Sequence, residues 1–564
     1  NLIGNAREST TTAMAFWNEA GHQASLSYSE LYAEVARLAF AFRKFGVTKG
    51  DVIAAIIPNT PHAVIGMLAA TSIGAVWTSS SPEFSEQGVL DRFKQVAPKV
   101  LIAADGYYFK GAKCDCMPKL TAVTTELESL EQVIVVPYAE IATNAAFDTS
   151  SKPSILYAEF VSQVCGSNVP VLKFEQLPSD HPVYIMYSSG TTGAPKCMVH
   201  GAIGTLLEHK KELVLHTDLK PKDNIFYRTT TGWMMWNWHV SALAVGAKLT
   251  IYDGDLNSDV LFELTEEERV TVFGSAAGHV QYLKNAGKRP NQSYDLSSLR
   301  AFLSTGSTLW PDLFAYANEV IGEIQIASIS GGTDIIGCFA LGCPILPVHQ
   351  GELQALSLGY AVDVFNSVGK PVRDEVGELV CTAPFPSMPT YFMNDPDGAK
   401  YFEAYFDVFK GVWCHGDSAI FYSCTNGTQI VGRSDDILNP GGERFGPAII
   451  TNIVDQLPGV VASTAVPVRR NGQERVALFV KTDDLLEVDD NFRQLVKSKM
   501  INPRYSPHFI IAAPDFPYTL SGKLSNKAIR SAINAEPIPN SSAIANLEVL
   551  QFYSELCTCG ARDY

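Results

Sequence analysis

The chain has 564 residues, of which 46% are hydrophobic and 18% are charged, and its formal net charge is −16. At about 100 to 200 residues per domain the length predicts three to five domain-sized units, and the apolar content excludes a disordered chain. The negative balance, without a run of basic residues, argues against a nucleic-acid or anionic-membrane partner. No apolar stretch reaches the roughly 20 residues of a membrane-spanning helix.

The start of the chain and its cysteines bear on location. The chain begins at Asn1 without the charged and apolar segments of a secretory leader, which we interpret as truncation or processing. The eleven cysteines are scattered, and the closest pairs, Cys114/Cys116 and Cys557/Cys559, have one intervening residue where zinc and redox sites have two. We therefore expect free thiols and a cytosolic location.

The first predicted elements alternate between helix and strand. Ser27 and Glu30 have capping-box spacing, and apolar residues then recur every three or four positions until Gly46. This predicts an amphipathic helix, followed by a buried strand at 52–57 and another helix from Pro61. Alternation of helices with strands that are apolar on both faces is typical of parallel βαβ units.

Further predicted strands follow along the chain. Further apolar runs predict strands at 100–103, 133–136, 183–186, 248–252, 271–273 and 324–329. From about residue 344, closely spaced strands at 356–360, 377–381, 412–415, 419–422 and 429–431 predict a smaller β-rich unit. We then predict a hairpin of 461–468 and 475–481, a helix at 488–500, a strand at 509–512 and a helix at 524–535. The predicted fold class is α/β, with parallel-sheet subdomains, a small β-rich subdomain and a small α+β C-terminal domain.

Residues 184–196, YIMYSSGTTGAPK, carry the strongest chemical signal. A strand leads into a loop with glycines that permit close backbone approach, several hydroxyl donors and a terminal lysine, which together suit a phosphate group. The spacing excludes a Walker A loop, because Lys196 follows Gly193 by three residues and precedes Cys197. We predict a phosphate-binding loop made by Ser188, Ser189, Gly190, Thr191, Thr192, Gly193 and Lys196.

This loop resembles the phosphate loop of the adenylate-forming superfamily, which includes acyl-CoA synthetases, nonribosomal-peptide adenylation domains and beetle luciferases. Further segments match the superfamily's pattern in order, from about residue 25 to the end. The resemblance implies an N-terminal domain of residues 1–434, with its β-rich subdomain at about 344–434. It also implies a mobile C-terminal domain of residues 435–564, which carries a catalytic lysine.

The segment 330–334, Ser-Gly-Gly-Thr-Asp, resembles the one in which a threonine contacts the α-phosphate and an acidic residue holds Mg²⁺. The resemblance therefore implies that Gly331, Gly332 and Thr333 contact the nucleotide, with Thr333 catalytic. It implies that Asp334 is the metal ligand, although the superfamily usually has Glu there.

Two more segments resemble nucleotide contacts. Gly306, Ser307 and Thr308 occupy the place of an adenine-contacting Gly-Glu-Pro, of which only the glycine is kept. Asp417, in Trp-Cys-His-Gly-Asp, matches the residue that accepts hydrogen bonds from both ribose hydroxyls, a task that suits two carboxylate oxygens. We interpret the nearby His415 as a packing or hydrogen-bonded neighbour.

The C-terminal part resembles the superfamily's hinge and catalytic loop. The resemblance implies that Arg433 reaches the ribose and phosphate and that Asp435 is the hinge about which the C-terminal domain rotates. Gly442 and Arg444 match positions that face the thiol tunnel. Lys523, in Pro-Tyr-Thr-Leu-Ser-Gly-Lys, matches the catalytic lysine that bridges the substrate carboxylate and the α-phosphate.

Acyl specificity is read from two places. Acetyl-specific relatives carry a bulky Trp two residues before the phosphate-contacting threonine, where this chain has Gly331, so the resemblance implies a deeper pocket and an acid larger than acetate. The aromatic tract 228–238, which includes Trp233, lies at the acyl-side position, with plain core packing as an equal alternative. Together with 328–334, 435–442 and 546–550, this tract most closely resembles ligases that join acetoacetate to CoA.

The implied reaction uses ATP, Mg²⁺ and CoA in two steps. Acetoacetate attacks the α-phosphate to give acetoacetyl-AMP and pyrophosphate, and the CoA thiol then displaces AMP. Two alternatives stay open, a ligase for another short or medium-chain acid and a non-catalytic nucleotide-binding relative. The sequence leaves open the oligomeric state, the residues that read the β-keto oxygen and the base that deprotonates the thiol.

Overall fold

The structure is a computed structural model that describes residues 8–142, 152–165, 169–188, 195–434, 436, 438, 445–470, 473–483, 486–500, 505–519, 524–538, 541 and 544–558. The chain divides into two compact units. The first comprises Asn1–Ser188, Lys196–Tyr360 and Pro384–Tyr401, and the second comprises Ser189–Pro195, Ala361–Ala383 and Phe402–Tyr564. Within the described ranges, no helix is both long and apolar enough to cross a membrane.

The strands and helices are as follows. The strands are β1 (Thr12–Asn18), β2 (Gly21–Ser27), β3 (Val52–Ile56), β4 (Val76–Ser80), β5 (Val100–Ala104), β6 (Gly106–Phe109), β7 (Ala112–Asp115), β8 (Gln132–Val136), β9 (Ser154–Leu156), β10 (Pro182–Ser188), β11 (Lys196–Gly201), β12 (Asn224–Tyr227), β13 (Lys248–Asp253), β14 (Val272–Ala276), β15 (Ala301–Thr305), β16 (Gln325–Ser328), β17 (Ser330–Gly332), β18 (Gly337–Leu341), β19 (Ala355–Leu356), β20 (Val362–Phe365), β21 (Gly377–Cys381), β22 (Tyr391–Phe392), β23 (Trp413–Phe421), β24 (Thr428–Arg433), β25 (Val460–Arg470), β26 (Gln473–Thr482) and β27 (Phe509–Ala512). The helices are α1 (Tyr28–Phe45), α2 (Pro61–Ser72), α3 (Glu86–Phe93), α4 (Met117–Glu126), α5 (Tyr157–Cys165), α6 (Ala202–Lys211), α7 (Met234–Val240), α8 (Val260–Glu267), α9 (Ala277–Asn285), α10 (Pro290–Ser293), α11 (Pro311–Val320), α12 (Ala399–Tyr405), α13 (Ala448–Val454), α14 (Asp490–Lys499), α15 (Asn526–Ile533) and α16 (Leu550–Thr558). A π-helical segment, Glu212–His216, extends α6, and Ser241–Ala244 and Leu547–Val549 are 3₁₀ turns.

The first unit is built on two large sheets. One has the strand order β16-β15-β14-β12-β13-β1-β2 and is parallel except for the β1–β2 pair. The other has the order β22-β11-β10-β4-β3-β5-β8-β9 and is parallel from β10 to β9. Helices such as α1 and α2 cover strands that are buried on both faces, which confirms the predicted α/β class.

The first helix shows how the local sequence sets an element. Ser27 Oγ accepts a hydrogen bond from the Glu30 N–H at 3.2 Å, and Glu30 Oε2 accepts one from the Ser27 N–H at 2.7 Å. The predicted capping box is therefore confirmed. Gly46 ends the helix with φ 99°, a left-handed conformation that glycine adopts at low cost.

Most predicted strands are confirmed, and the structure adds strands that were not predicted. Strand β1 was not predicted, because its place in the sheet depends on pairing with β13, which lies far along the chain. Strands β2, β4, β12 and β15 were also not predicted. Residues 412–415 and 419–422, predicted as two strands, form the single strand β23, because Gly416 adopts φ 77° without ending the pairing. Of the strand predicted at 356–360, only the end of β19 is extended.

The second unit contains two smaller sheets. The antiparallel sheet β20-β21-β23-β24 lies in the predicted β-rich region, and β25 and β26 form the predicted C-terminal hairpin, with β27 added in parallel. Helices α13 to α16 pack on this three-stranded sheet through two apolar clusters. The compact unit groups 361–383 and 402–434 with the C-terminal residues, whereas the sequence divides the chain at residue 435. The boundary at residue 435 stays a prediction.

Candidate functional site

The two strands that flank the predicted phosphate loop pair with each other. Strands β10 and β11 are antiparallel, and Ser188 pairs with Lys196 at the end of the ladder. Thr78 Oγ1 on the neighbouring strand β4 donates to the Ile185 carbonyl at 2.9 Å, which ties the hairpin to the parallel part of the sheet. The structure thus places Ser188 and Lys196 at the two ends of the loop. Ser189, Gly190, Thr191, Thr192 and Gly193 lie outside the described residues.

A second hairpin carries the predicted α-phosphate and metal contacts. Strands β17 and β18 are antiparallel, and Thr333 and Asp334 lie in the turn between them. The Ile336 N–H donates to the Thr333 carbonyl at 3.3 Å, and Ile336 adopts φ 46°. A β-branched residue rarely adopts a left-handed conformation, so surrounding contacts must hold this turn in place.

Gly331 is required by this hairpin for a reason that the sequence did not reveal. A Cβ atom at Gly331 would meet the Gly337 carbonyl oxygen and lie 2.5 Å from the Cα atom of Cys338. The absence of a side chain therefore allows β17 to approach β18 closely. Gly332 pairs with Gly337 at the end of the same hairpin.

His200 on β11 lies beside the Thr333–Asp334 turn and was missed by the sequence reasoning. Complete burial lowers the pKa of His200 to about 4, while the Asp334 carboxylate and the backbones of Thr333 and Ser387 act in the opposite direction. Those contacts fall short of hydrogen-bond geometry, so both ring nitrogens lack a partner among the described residues. The ring is neutral at pH 7. Only its position four residues after Lys196 could have drawn attention to it.

The predicted adenine-side and acyl-side residues meet at one sheet edge. Gly306, Ser330 and the 228–233 segment each follow the carboxyl end of a parallel strand, at β15, β16 and β12. Ligands of open α/β sheets bind at this edge. Gly306 adopts φ 89°, and a Cβ atom there would lie 3.9 Å from the Trp233 ring. Ser307 and Thr308 follow, the first exposed and the second half-buried.

The aromatic tract is anchored to the other sheet. Thr231 Oγ1 donates to the Ile57 carbonyl at 2.6 Å, and the Trp236 indole donates to Asn59 Oδ1 at 3.0 Å. Every residue of α7 is buried, whereas Trp233 before it is half-buried. Core packing thus accounts for α7, and Trp233 is the tract's aromatic residue with an exposed surface beside Gly306.

The predicted ribose contact lies in the second unit. Asp417 on β23 pairs with Arg433 on β24, and Arg433 Nη1 lies 3.0 Å from Asp417 Oδ1. The neighbouring His415 is buried, and the Trp413 indole N–H donates to its Nδ1 at 3.4 Å, in agreement with a packing role. A Cβ atom at Gly416 would lie 2.8 Å from the Arg433 guanidinium. The strand therefore needs glycine there both for its positive φ and for this approach.

The remaining predicted residues, Asp435, Gly442, Arg444 and Lys523, lie outside the described residues. Their flanks are described. Leu438 and Phe445 form an antiparallel bridge around 439–444, and Tyr518 and Leu524 form another around 520–523.

Residues 5–392 match the family described as AMP-binding enzyme. The chain belongs to the AMP-binding enzyme family. Among AMP-binding enzymes it is 46% identical to the acetoacetyl-coenzyme A synthetase of Rhizobium meliloti (strain 1021), over 96% of this chain and 84% of that protein. It is 42% identical to the acetoacetyl-CoA synthetase of Gallus gallus, over 94% of this chain and 81% of that protein. The predicted resemblance to adenylate-forming enzymes is confirmed.

A solved structure gives the same result for the fold. The acetoacetyl-CoA synthetase from Streptomyces lividans superposes with a TM-score of 0.91 at 36% identity, covering 99% of this chain and 86% of that one. The sheets and hairpins described above are therefore those of an AMP-binding enzyme.

Proposed function

We propose that this protein is an ATP-dependent acid–thiol ligase that forms acetoacetyl-CoA from acetoacetate, ATP and CoA, through acetoacetyl-AMP, with release of AMP and pyrophosphate. One observation carries the proposal. The chain aligns over nearly its full length with acetoacetyl-CoA synthetases, and its first unit presents Thr333, Asp334 and Gly306 at one sheet edge, with Trp233 beside them.

The described residues suit the first half-reaction. Transfer of AMP to a carboxylate builds negative charge on the α-phosphate oxygens, and donors fixed before the reaction stabilise that charge most effectively. Thr333 in a constrained turn and Lys196 at the end of the phosphate hairpin are such groups. His200 beside Asp334 is neutral and adds no positive charge to this part of the site.

The residues present fit a magnesium ion bound together with the nucleotide. The described part of the chain contains no group of three or more His, Cys, Asp or Glu side chains that could hold a metal ion. Mg²⁺ is usually bound by one or two carboxylates together with phosphates and water, so Asp334 is a sufficient protein ligand. When bound, the ion would neutralise phosphate charge.

The second half-reaction depends on the C-terminal region. We propose that residues 435–564 rotate about Asp435, so that Lys523 serves adenylation and then leaves, while Gly442 and Arg444 face the thiol tunnel. Large changes in backbone dihedral angles need residues with little steric restriction, and Gly441 and Gly442 lie six and seven residues after Asp435. Asp417 and Arg433 would then bind the ribose and phosphate.

The acid is the finer part of the proposal. The sequence relatives are named for acetoacetyl-CoA, which supports acetoacetate. Gly331 gives no separate support, because a Cβ atom there would meet the backbone of β18. The alternative is a ligase for another short or medium-chain acid. A non-catalytic nucleotide-binding relative is the second alternative. We also propose a cytosolic location and a role in ketone-body and lipid metabolism, since acetoacetate is a ketone body.

One experiment tests these proposals. Pyrophosphate release is measured with ATP and Mg²⁺ against a panel of acetate, acetoacetate, butyrate and hexanoate, with and without CoA. We expect release that depends on acetoacetate and a thioester product only when CoA is present. A preference for butyrate or hexanoate would overturn the substrate, and no acid-dependent release would favour the binding protein.

A further inference from the structure

Residues at the end of α6 and at the start of the π-helical segment contact the hairpin that carries Thr333 and Asp334. Glu208 and His209 on α6 and Glu212 at the start of the π-helical segment are all buried. They contact three consecutive residues of the hairpin, Ile336, Gly337 and Cys338. We call Glu208, His209 and Glu212 the α6 clamp.

His209 holds the strained residue of the turn. Burial lowers the pKa of His209 to about 3, so the ring is neutral and only one of its nitrogens carries a proton. His209 Nε2 lies 2.8 Å from the Ile336 carbonyl oxygen, which can only accept, so Nε2 is the donor. Nδ1 must then accept from Ser241 Oγ, 2.8 Å away. The left-handed conformation of Ile336 is thus fixed by a directed hydrogen bond.

Glu212 joins two parts of the predicted site. Its Oε1 accepts from the Cys338 N–H at 2.6 Å, and its Oε2 accepts from the Trp238 indole N–H at 2.7 Å. Cys338 lies on the hairpin with Thr333, and Trp238 lies on the helix that begins after Trp233. One carboxyl group therefore bridges the phosphate-side hairpin and the acyl-side helix.

The spacing of Glu208 and Glu212 and the charges nearby explain how the Glu212 carboxyl group is buried between the hairpin and α7. Glu212 lies four residues after Glu208, so both side chains lie on the same face of the helix and reach the same hairpin. Burial and the neighbouring Glu208 raise the pKa of Glu212 well above its ordinary range. Lys211 Nζ lies 2.7 Å from Glu208 Oε1, which balances the charge that remains.

We propose that Glu212 and His209 are positioning residues for the ligase reaction. Through the α6 clamp they fix the position of the Thr333–Asp334 turn relative to helix α7, which begins after Trp233. The reaction itself rests on the proposed function. The clamp rests on contacts within the first unit alone. Two observations distinguish this positioning role from a general contribution to the stability of the fold. A strained residue lies two positions after Asp334, and a single carboxyl group spans both sides of the site.

The test uses Glu212→Gln in the full chain. An amide oxygen can accept from only one of the two N–H donors, and its NH₂ group would face the other. We expect MgATP to bind about tenfold more weakly by calorimetry. We also expect acetoacetate-dependent ATP–pyrophosphate exchange to fall about 10- to 100-fold per folded molecule, because small displacements of reacting groups cost that much.

Three further variants test the Glu212 bridge and the His209 contact. Trp238→Phe removes the indole donor, so in the double variant Glu212→Gln/Trp238→Phe the glutamine can direct its oxygen to Cys338 without facing a second donor. We expect the double variant to exchange faster than Glu212→Gln alone. His209→Gln can still donate to the Ile336 carbonyl, so we expect it to retain much more exchange than His209→Ala. These histidine variants keep the test available if Glu212→Gln does not fold.

The matched control is Asp105→Asn. Asp105 is a fully buried carboxylate that accepts three backbone N–H bonds, from Ala139, Ile141 and Ala142, at 2.8, 2.6 and 2.9 Å. The same isosteric change there should lower the melting temperature and leave exchange per folded molecule unchanged.

Wild-type kinetics and MgATP affinity in Glu212→Gln would overturn the proposal, as would an equal loss of exchange in Asp105→Asn. Absence of acid-dependent exchange in the wild-type protein would instead overturn the proposed function. MgATP affinity would still test the clamp in that case.

Discussion

Asp417 and Arg433 form an ion pair across β23 and β24, with Arg433 Nη1 3.0 Å from Asp417 Oδ1. The two side chains differ in exposure, since 13% of the Asp417 side chain and 54% of the Arg433 side chain are accessible to solvent. The Asp417 carboxylate is thus mostly buried against its partner, whereas much of the Arg433 side chain is exposed to solvent. An exposed pair of this kind contributes about 0–1 kcal/mol to stability, so its orientation matters more than its energy.

We predict that Asp417→Asn weakens nucleotide binding without unfolding the protein. Loss of hydrogen bonds to a charged group costs about 1.5–3 kcal/mol, so the KM for ATP should rise at least about tenfold. The unfolding free energy should change by less than about 1 kcal/mol. Steady-state kinetics and urea denaturation measure the two effects. Asp363→Asn is the matched control, because Asp363 also pairs with an arginine, Arg373, on the same sheet, and it should change neither quantity appreciably.

Gly331→Ala should disrupt the hairpin of the phosphate-side site. The new methyl group would meet the Gly337 carbonyl, which is backbone and cannot move aside cheaply. We expect a loss of about 1–3 kcal/mol in stability and a larger loss of exchange activity. Gly278→Ala is the control, since Gly278 lies in α9 with open space around its Cβ position, and it should stabilise the protein by about 0.5–1 kcal/mol. Equal melting temperatures for the two variants would contradict the packing argument.

Asp253 should make stability depend on pH. Burial raises the pKa of Asp253 to about 7, against hydrogen bonds from Tyr138 and Tyr108 that lower it, while the Glu83 and Glu19 carboxylates make smaller contributions that raise it. The folded state therefore holds a proton that the unfolded state releases near pH 4, so stability falls as the pH rises from about 4 to 7.

The variant Asp253→Asn imitates the neutral acid at every pH. We expect it to stabilise the protein at pH 8, by about 4 kcal/mol at most, and to have little effect at pH 4. Thermal unfolding of both proteins across this range measures the difference. A gain that is the same at pH 4 and pH 8 would show that Asp253 is ionised throughout.

Lys523→Ala should separate the two half-reactions. We expect adenylation, measured as pyrophosphate release, to fall at least about 100-fold, because the lysine would stabilise charge only in that step. Thioester formation from supplied acetoacetyl-AMP and CoA should stay near the wild-type rate. Lys499→Ala, on the exposed side of α14, is the control and should leave both steps intact. Equal loss of both half-reactions in Lys523→Ala would refute the proposed domain rotation.

Elements with strong local signals were predictable from the sequence. The α1 capping box, the apolar strand β5 and the hairpin of β25 and β26 depend on neighbouring residues, and each appears close to its predicted position. Strand β1 was missed because its burial comes from β13, a distant strand that no local pattern reveals. The strands predicted at 412–415 and 419–422 are one strand, because pairing with β21 and β24 continues on both sides of Gly416.

In the candidate site too, some residues could be found from the sequence and others could not. The phosphate hairpin and the Thr333–Asp334 turn were found from motifs, since glycines and hydroxyls at fixed spacing are visible in one segment. His200 and Glu212 were not found, because each acts through a backbone or side chain that is distant in sequence. The constraint on Gly331 was invisible for the same reason. A sequence shows that a residue is glycine but does not show which carbonyl its missing Cβ would meet.

The position of β1 between β2 and β13 has a consequence for the synthesis of the protein. Met14 pairs with Leu249, so β1 has one edge covered early by β2 and the other edge open until β13 has been synthesised. A buried strand with an open edge is a template for pairing with other chains, and long-range parallel pairing forms slowly. We therefore expect the open edge of β1 to be available for pairing with other chains between synthesis of residue 18 and residue 253, the interval in which a chaperone would protect it.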